Sequence, residues 1–181
     1  KHLLEYDDVL NQQRKVVYAY RRYLLEGPQT VGIIIEEIIA DVVSNLSAVY
    51  LTRKNANTAE QDELLNTLSK ITAIPREEIA SALGKQPATM PYEERLAIAL
   101  HAQYLSFRNQ IDQQTAENAE KWVLLELVDQ YWKIHLQVID ALKEGIGLRS
   151  YGQKNPLIEY KKESFDTFTK MMMTVKSDSL E

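Results

Sequence analysis

The sequence predicts an all-α fold, and three observations support that prediction. Apolar residues recur every three or four positions over long stretches, as they do on one face of a helix. Prolines and glycines stand between these stretches, where helices end. No segment shows the strict apolar–polar alternation of a half-buried strand. We therefore expect helices packed on helices.

The first two predicted helices are long. Residues 3–25 carry one apolar face, and Gly27-Pro28 ends this helix. Thr30 is the candidate cap of the second helix, which is apolar around most of its circumference and must pack on several sides. A polar break at residues 53–58 follows.

Shorter helices are predicted in the middle of the chain. One covers residues 60–70. Another begins at Pro75, whose fixed φ suits the first turn of a helix, and ends at Gly84. A third starts at Pro91 and runs toward residue 113. Together, these three short helices indicate a small helical subdomain.

The longest predicted helix starts near Ala116, with Thr115 as its candidate cap. Two apolar stripes together cover more than half of its circumference, so it must lie between partners. Trp122, Trp132 and Leu136 belong to the first stripe. We interpret both tryptophans as core residues.

An irregular connection is predicted next. Gly145, Gly147 and Gly152, with Pro156, are typical of a loop of about ten residues. A last helix then covers about residues 157–176.

The composition argues against several classes of protein. Twenty-one basic residues against 26 acidic ones give a net charge of −5, which argues against a nucleic-acid partner. The 181 residues include no cysteine, which excludes a disulfide framework and favours a reducing, cytoplasmic setting. No apolar run approaches the roughly 20 residues of a membrane span. Because the chain opens at Lys1 already in a helical pattern, we expect a piece of a longer protein.

No residue pattern predicts catalysis. The glycines of residues 27–32 lack the lysine and hydroxyl residue of a phosphate loop, and those of residues 145–150 follow a helix instead of a strand. His135 lies one turn after Trp132 in the most apolar helix. A packed, hydrogen-bonded role is therefore expected for it, with metal ligation as the alternative. We name no catalytic, cofactor-binding or metal-binding residue.

Two parts of the chain resemble the SecA family, whose members are ATP-driven motors that push preproteins through a membrane channel. Residues 3–18, LLEYDDVLNQQRKVVY, are similar to the family's long scaffold helix. In the second part, residues 131–136 read YWKIHL where the family has an LWKEHL-like helix. Residues 140–165 then satisfy the pattern D-x-L-(K/R)-x-G-I-x-L-R-x-Y-x-Q-K-(D/N)-P-x-x-E-Y-K-(K/R)-E-S-F.

The resemblance covers essentially the whole chain and implies its domains. Residues 1–26 correspond to the long helix of the helical scaffold domain, residues 27–103 to an inserted helical wing domain, and residues 104–181 to the scaffold's two-helix finger, an antiparallel hairpin. The long helix is expected to pack along the finger. The expected scaffold-packing residues are Tyr6, Trp122, Trp132 and Leu136.

The resemblance places the tip of the finger on residues 139–145 and implies that it contacts the channel and the moving polypeptide. A bulky, often aromatic residue is expected where this chain has Ala141, which leaves Leu142 and Ile139 as apolar candidates. The expected tip residues are Ile139, Asp140, Ala141, Leu142, Lys143, Glu144 and Gly145.

Partners and location are implied in the same way. They are the SecY channel complex, the translocating preprotein, the motor's own nucleotide-binding and preprotein-crosslinking domains, and the inner face of the bacterial cell membrane, where the motor sits peripherally. The segment would couple movement of the ATPase domains to translocation and regulate ATP hydrolysis. ATP and magnesium would bind elsewhere in the parent motor, and we expect no cofactor in this chain and no ATP hydrolysis by this chain alone.

Two alternatives come from the residues themselves. The broad apolar stripes are compatible with a stand-alone helical adaptor that binds partner helices in an apolar groove. A helical bundle enzyme with a buried cofactor is the other, although no ligand pattern supports it.

Overall fold

The computed structural model describes residues 2–26, 31–51, 58–149 and 155–181, and the regular elements within them are all α-helices. The all-α prediction is therefore confirmed. In chain order the helices are α1 (His2–Glu26), α2 (Val31–Tyr50), α3 (Thr58–Thr72), α4 (Arg76–Gly84), α5 (Tyr92–Arg108), α6 (Gln113–Arg149) and α7 (Pro156–Asp178).

The start of α6 differs from the prediction. Asp112, not Thr115, occupies the cap position, because the backbone N–H and the hydroxyl of Thr115 both donate to Asp112 Oδ2, each at 3.0 Å. Thr115 therefore lies within the first turn. One exposed carboxylate accepts two donors there, which lowers the pKa of Asp112.

The end of α6 also differs. The predicted connection from Gly145 is wrong at its start, because α6 continues through Gly145 and Gly147 to Arg149. Ile146 explains the difference. Its side chain is 2% exposed and packs with that of Ile139, two helical turns earlier, in one apolar cluster. Burying an isoleucine gives about 1.5–3 kcal/mol, which offsets the roughly 2 kcal/mol that two helical glycines cost together, so the helix persists.

Several sequence-based predictions lie outside the described residues. They are the Gly27-Pro28 break, the Thr30 cap, most of the polar break at residues 53–58, and the rest of the connection, including Gly152.

The chain divides into two compact units. The first comprises residues 1–28 and 121–175, and the second comprises residues 29–120 and 176–181. Residues 104–120 thus cluster with the second unit, although the family resemblance assigned them to the finger. The assignment of either unit to named family domains stays a prediction.

The second unit is built around α2. This helix contacts α3 and α5, and α4 contacts both of those helices. The buried side chains of α2 are Val31, Ile34, Ile35, Ile38, Ile39, Val42, Val43 and Ser47. These positions recur every three or four residues and form one broad face, whereas Ile33 and Val49 outside it are 39% and 62% exposed, so the prediction that α2 packs on several sides is wrong.

A tight turn joins α3 to α4. Ala73 has a φ of 52°, in the left-handed region that an L-residue rarely adopts. The hydroxyl of Ser69 donates a 2.7 Å hydrogen bond to the carbonyl oxygen of Ile74 and so closes the turn.

The first unit consists of α1 and the greater parts of α6 and α7. Helix α1 runs antiparallel to α6, because Asp7 contacts Lys143 near one end and Arg21 contacts Asp129 near the other. The three helices share two apolar clusters.

Candidate functional site

The first apolar cluster joins all three helices of the first unit. It contains Val17 of α1, Val128 and Trp132 of α6, and Met171 and Val175 of α7, all less than a tenth exposed. The partly buried side chains packed against it include Leu136. Trp132 and Leu136 therefore both pack between these helices, and their role in a family scaffold domain stays a prediction.

The second cluster lies nearer the C-terminal end of α6. Ile139 and Ile146 pack there with Tyr160 of α7, whose side chain is 1% exposed. Tyr6 of α1 packs against this cluster, and its ring centroid lies 4.7 Å from that of Tyr160 at an interplanar angle of 58°. Tilted aromatic pairs of this kind add about 0.5–1.5 kcal/mol to the burial of their area.

A buried polar link lies between the two clusters along all three helices. Gln13 of α1 uses both ends of its side-chain amide: Nε2 donates to the carbonyl oxygen of Ser164 at 3.1 Å, and Oε1 lies 2.8 Å from His135 Nε2. The three residues are 7%, 0% and 2% exposed for Gln13, Ser164 and His135. One side chain of α1 therefore connects α6 and α7.

This geometry determines the tautomer of His135. Because the amide nitrogen of Gln13 is engaged by Ser164, its oxygen faces the imidazole, and His135 Nε2 must carry the hydrogen. The ring stacks on Trp132 at 5.6 Å and meets the edge of Phe168 at 5.5 Å. Burial lowers the pKa of His135 below its ordinary value of 6.5, so the ring is neutral at pH 7. The predicted packed and hydrogen-bonded role is confirmed.

Ion pairs flank the link near the surface. Lys143 Nζ lies 2.8 Å from Asp7 Oδ1, and this hydrogen bond raises the pKa of Lys143. Arg21 pairs with Asp129 in the opposite direction along α1. All four side chains are at least one-third exposed, so each pair contributes at most about 1 kcal/mol.

The residues expected at the finger tip all lie within α6. Ile139 is 2% exposed and belongs to the second apolar cluster, so its side chain is not available to an outside partner in this conformation. Asp140, Ala141 and Glu144 are exposed. Leu142, Lys143 and Gly145 are partly exposed, and Leu142 packs against the second cluster.

Trp122 requires a correction. Its side chain is 66% exposed, so it does not pack in the core of the described residues, unlike Trp132 at 8%. Ten residues separate the two, and at about 100° per residue they project about 80° apart around α6. The buried positions of this part of α6 are Leu124 and Val128.

Gln13 and Ser164 are not among the residues predicted from the sequence. A signal for Gln13 was nevertheless present. It occupies the helical position between Leu10 and Val17, three residues after one and four before the other, on an otherwise apolar face. A polar residue at such a position needs a buried partner. That partner could not be read from the sequence, because it lies 122 residues away.

The second unit has a polar cluster of its own. The hydroxyl of Tyr104 donates to Glu120 Oε1 at 2.7 Å, and Arg108 Nε lies 3.1 Å from the same oxygen. Arg108 also approaches Glu117 at 3.6 Å. These contacts attach the first turns of α6 to α5.

Neither a metal-binding cluster nor a membrane-spanning helix occurs in the part of the chain that the structure describes. No group of three or more histidine, aspartate or glutamate side chains there is placed to hold a metal ion. None of the helices, as far as they are described, combines the length and the apolar character needed to cross a membrane.

Comparison with known sequences gives a consistent result. The family model of the SecA wing and scaffold domain matches residues 1–181. The protein translocase subunit SecA of Desulfotalea psychrophila is 40% identical over 98% of this chain, and that of Campylobacter lari is 37% identical over 100%. The chain spans about a fifth of the length of these curated relatives, 21% of each. The chain belongs to the SecA wing and scaffold family.

Proposed function

We propose that this chain is the wing and scaffold segment of a protein translocase motor, and that its first unit transmits movement within that motor. The observation that carries the proposal is the attachment of α1. It contacts the rest of the unit at three levels: at Asp7, at the buried amide of Gln13, and at Arg21. A helix held in this way moves together with α6 and α7.

The rest of the motor supplies the nucleotide-binding site. ATP and magnesium bind in nucleotide-binding domains outside this segment, and those domains, with the preprotein-crosslinking domain, are its intramolecular partners. The relatives are named protein translocase subunits, which supports this assignment. Through its contacts the segment couples ATP hydrolysis to translocation and regulates the rate of hydrolysis.

The outward contact is proposed for the outer side of the last turns of α6. Ala141, Asp140 and Glu144 are exposed there and can meet the SecY channel or the translocating preprotein. Leu142 is the apolar candidate, whereas buried Ile139 supports the unit from inside. Action at the channel would place the motor peripherally on the cytoplasmic face of the membrane.

In the test, this chain replaces the matching segment of the full-length subunit from Desulfotalea psychrophila. We expect the chimaera to hydrolyse ATP and to move a preprotein into inverted membrane vesicles that contain SecY. A folded chimaera that hydrolyses ATP at the parental rate but moves no preprotein would contradict the coupling role.

Site-specific crosslinking tests the contact. Ala141→Cys in a cysteine-free chimaera should crosslink to SecY or to an arrested preprotein. Ala19→Cys is the matched control, since Ala19 is an exposed alanine of α1 near the Arg21 end of the same unit. Equal crosslinking from both positions would remove the proposed contact.

A further inference from the structure

We propose that Gln13 sets the axial register of α1 against the helix pair α6–α7, because its amide bridges the ring of His135 and the backbone carbonyl of Ser164. This inference goes beyond the proposed function, which requires only that α1 be held. It concerns the internal geometry of the first unit and does not depend on what the unit does.

The apolar face of α1 does not define a unique register by itself. Its side chains recur every three or four residues, so a slide of one turn, about 5.4 Å, replaces one apolar residue by another. The area buried then changes little. The apolar residues on this face that are buried or pack against the clusters are Tyr6, Val9, Leu10, Val17, Tyr20 and Leu24.

Gln13 breaks this repetition. A slide of one turn in either direction brings Leu10 or Val17 to the level of His135. Neither has an acceptor for the Nε2–H of the imidazole or a donor for the carbonyl of Ser164. Both groups are buried, at 2% and 0% exposure of their residues, so water does not replace the lost partner. The Ser164 carbonyl keeps the intrahelical bond that it accepts from the N–H of Phe168, whereas the Nε2–H of His135 is left unpaired, which disfavours the shifted register by about tenfold or more.

The ion pairs on the surface discriminate less strongly between one register of α1 and the next. Asp7, Lys143, Arg21 and Asp129 are each one-third exposed or more. Long side chains in water can follow a sliding helix, and salt screens their attraction. The buried amide is therefore the contact that separates one register from the next. A single polar residue in an apolar helix seam has this effect in coiled coils as well.

The absence of cysteine from the chain permits a direct test. Two double variants report the two registers. Asp7→Cys with Lys143→Cys joins positions that are opposite one another here, and Asn11→Cys with Lys143→Cys joins positions one turn out of register. The full chain is treated with dibromobimane, which fluoresces when it bridges two nearby thiols. The ratio of the two crosslinking rates measures the register.

With Gln13 present we expect the in-register pair to react about tenfold faster than the shifted pair, and Gln13→Leu to bring the ratio close to one. Gln13→Glu keeps the acceptor for His135 and should give an intermediate ratio. Gln12→Leu is the matched control, because Gln12 is an exposed neighbour of the same type, and it should leave the ratio unchanged.

Two results would overturn the inference. One is an unchanged ratio in folded Gln13→Leu and Gln13→Glu, as judged by circular dichroism. The other is an equal change in Gln12→Leu. If Gln13→Leu does not fold, the comparison between Gln13→Glu and Gln12→Leu decides alone.

Discussion

The hydroxyl of Tyr104 on α5 donates a 2.7 Å hydrogen bond to Glu120 on α6. Burial and this bond to a carboxylate raise the pKa of Tyr104 well above its ordinary value of 10.0. The side chain of Glu120 is 16% exposed, so the bond is shielded from bulk water. This contact and Arg108 attach the first turns of α6 to α5 within the second unit.

We expect Tyr104→Phe to lower the free energy of unfolding by about 1–2 kcal/mol, because a hydrogen bond to a charged acceptor is lost. Urea denaturation followed by circular dichroism measures the change. The control is Tyr18→Phe, since Tyr18 is 57% exposed. Equal losses in the two variants would mean that the Tyr104 hydroxyl contributes nothing specific.

The same contact predicts a dependence on alkaline pH. The folded pKa of Tyr104 is raised, so above pH 10 the unfolded chain releases the phenolic proton while the folded chain keeps it. Stability should therefore be fully present below pH 10 and fall as the pH rises beyond it. Tyr104→Phe should show a smaller fall over the same range, and parallel pH curves for the two proteins would refute the expectation.

Because of His135, the stability of the fold should depend on pH in the acid range. Burial lowers the pKa of His135 in the folded chain. As the pH falls below 6.5, the imidazole therefore becomes protonated in the unfolded chain while it stays neutral in the folded chain. Stability should decline from about pH 7 to pH 5. His135→Gln should be less stable at pH 8 but less sensitive to acid, whereas His101→Gln should keep the decline. Denaturation at several pH values makes the comparison, and an acid decline of wild-type size in His135→Gln would contradict it.

Gly145 offers a stabilising substitution. It lies inside α6, and a β-carbon built there meets no atom within 4 Å. Gly145→Ala should therefore raise the free energy of unfolding by about 0.5–1 kcal/mol through helix propensity. A β-carbon at Gly84 would also meet no atom within 4 Å, but Gly84 is the last residue of α4. Gly84→Ala should therefore give a smaller gain in the free energy of unfolding. Thermal denaturation of both variants provides the measurement, and a destabilised Gly145→Ala would show that α6 does not pass through this position.

Ala73 offers another stabilising substitution. A left-handed alanine is strained, and glycine removes the strain but has more freedom to lose on folding. The net effect of Ala73→Gly should be a gain of about 0.5 kcal/mol. Ala119→Gly, at an exposed position within α6, should instead lose about 1 kcal/mol. The sign difference between the two substitutions in chemical denaturation is the decisive result.

Much of the fold could be predicted because it depends on local pattern. The ends of α4 at Gly84 and the start of α5 after Pro91 follow from the backbone properties of single residues. Prediction failed where a distant contact outweighed a local preference. Gly145 suggested a loop, but the burial of Ile146 against α7 keeps the helix intact. The prediction for Trp122 failed for a different, local reason, because its position around α6 lies away from the buried face of that helix.

The amino-acid sequence alone determined the helical class, the family and the apolar faces, since each depends on residue types at short spacing or on a motif within one segment. The tertiary structure alone decided which partners the polar residue on the apolar face of α1 meets. Gln13 is 122 residues from His135 and 151 from Ser164 in the sequence. The residues next to Gln13 in the sequence do not indicate either partner. Helical periodicity is a property of adjacent turns, whereas a buried hydrogen bond requires that particular atoms of three separate helices arrive within about 3 Å of one another.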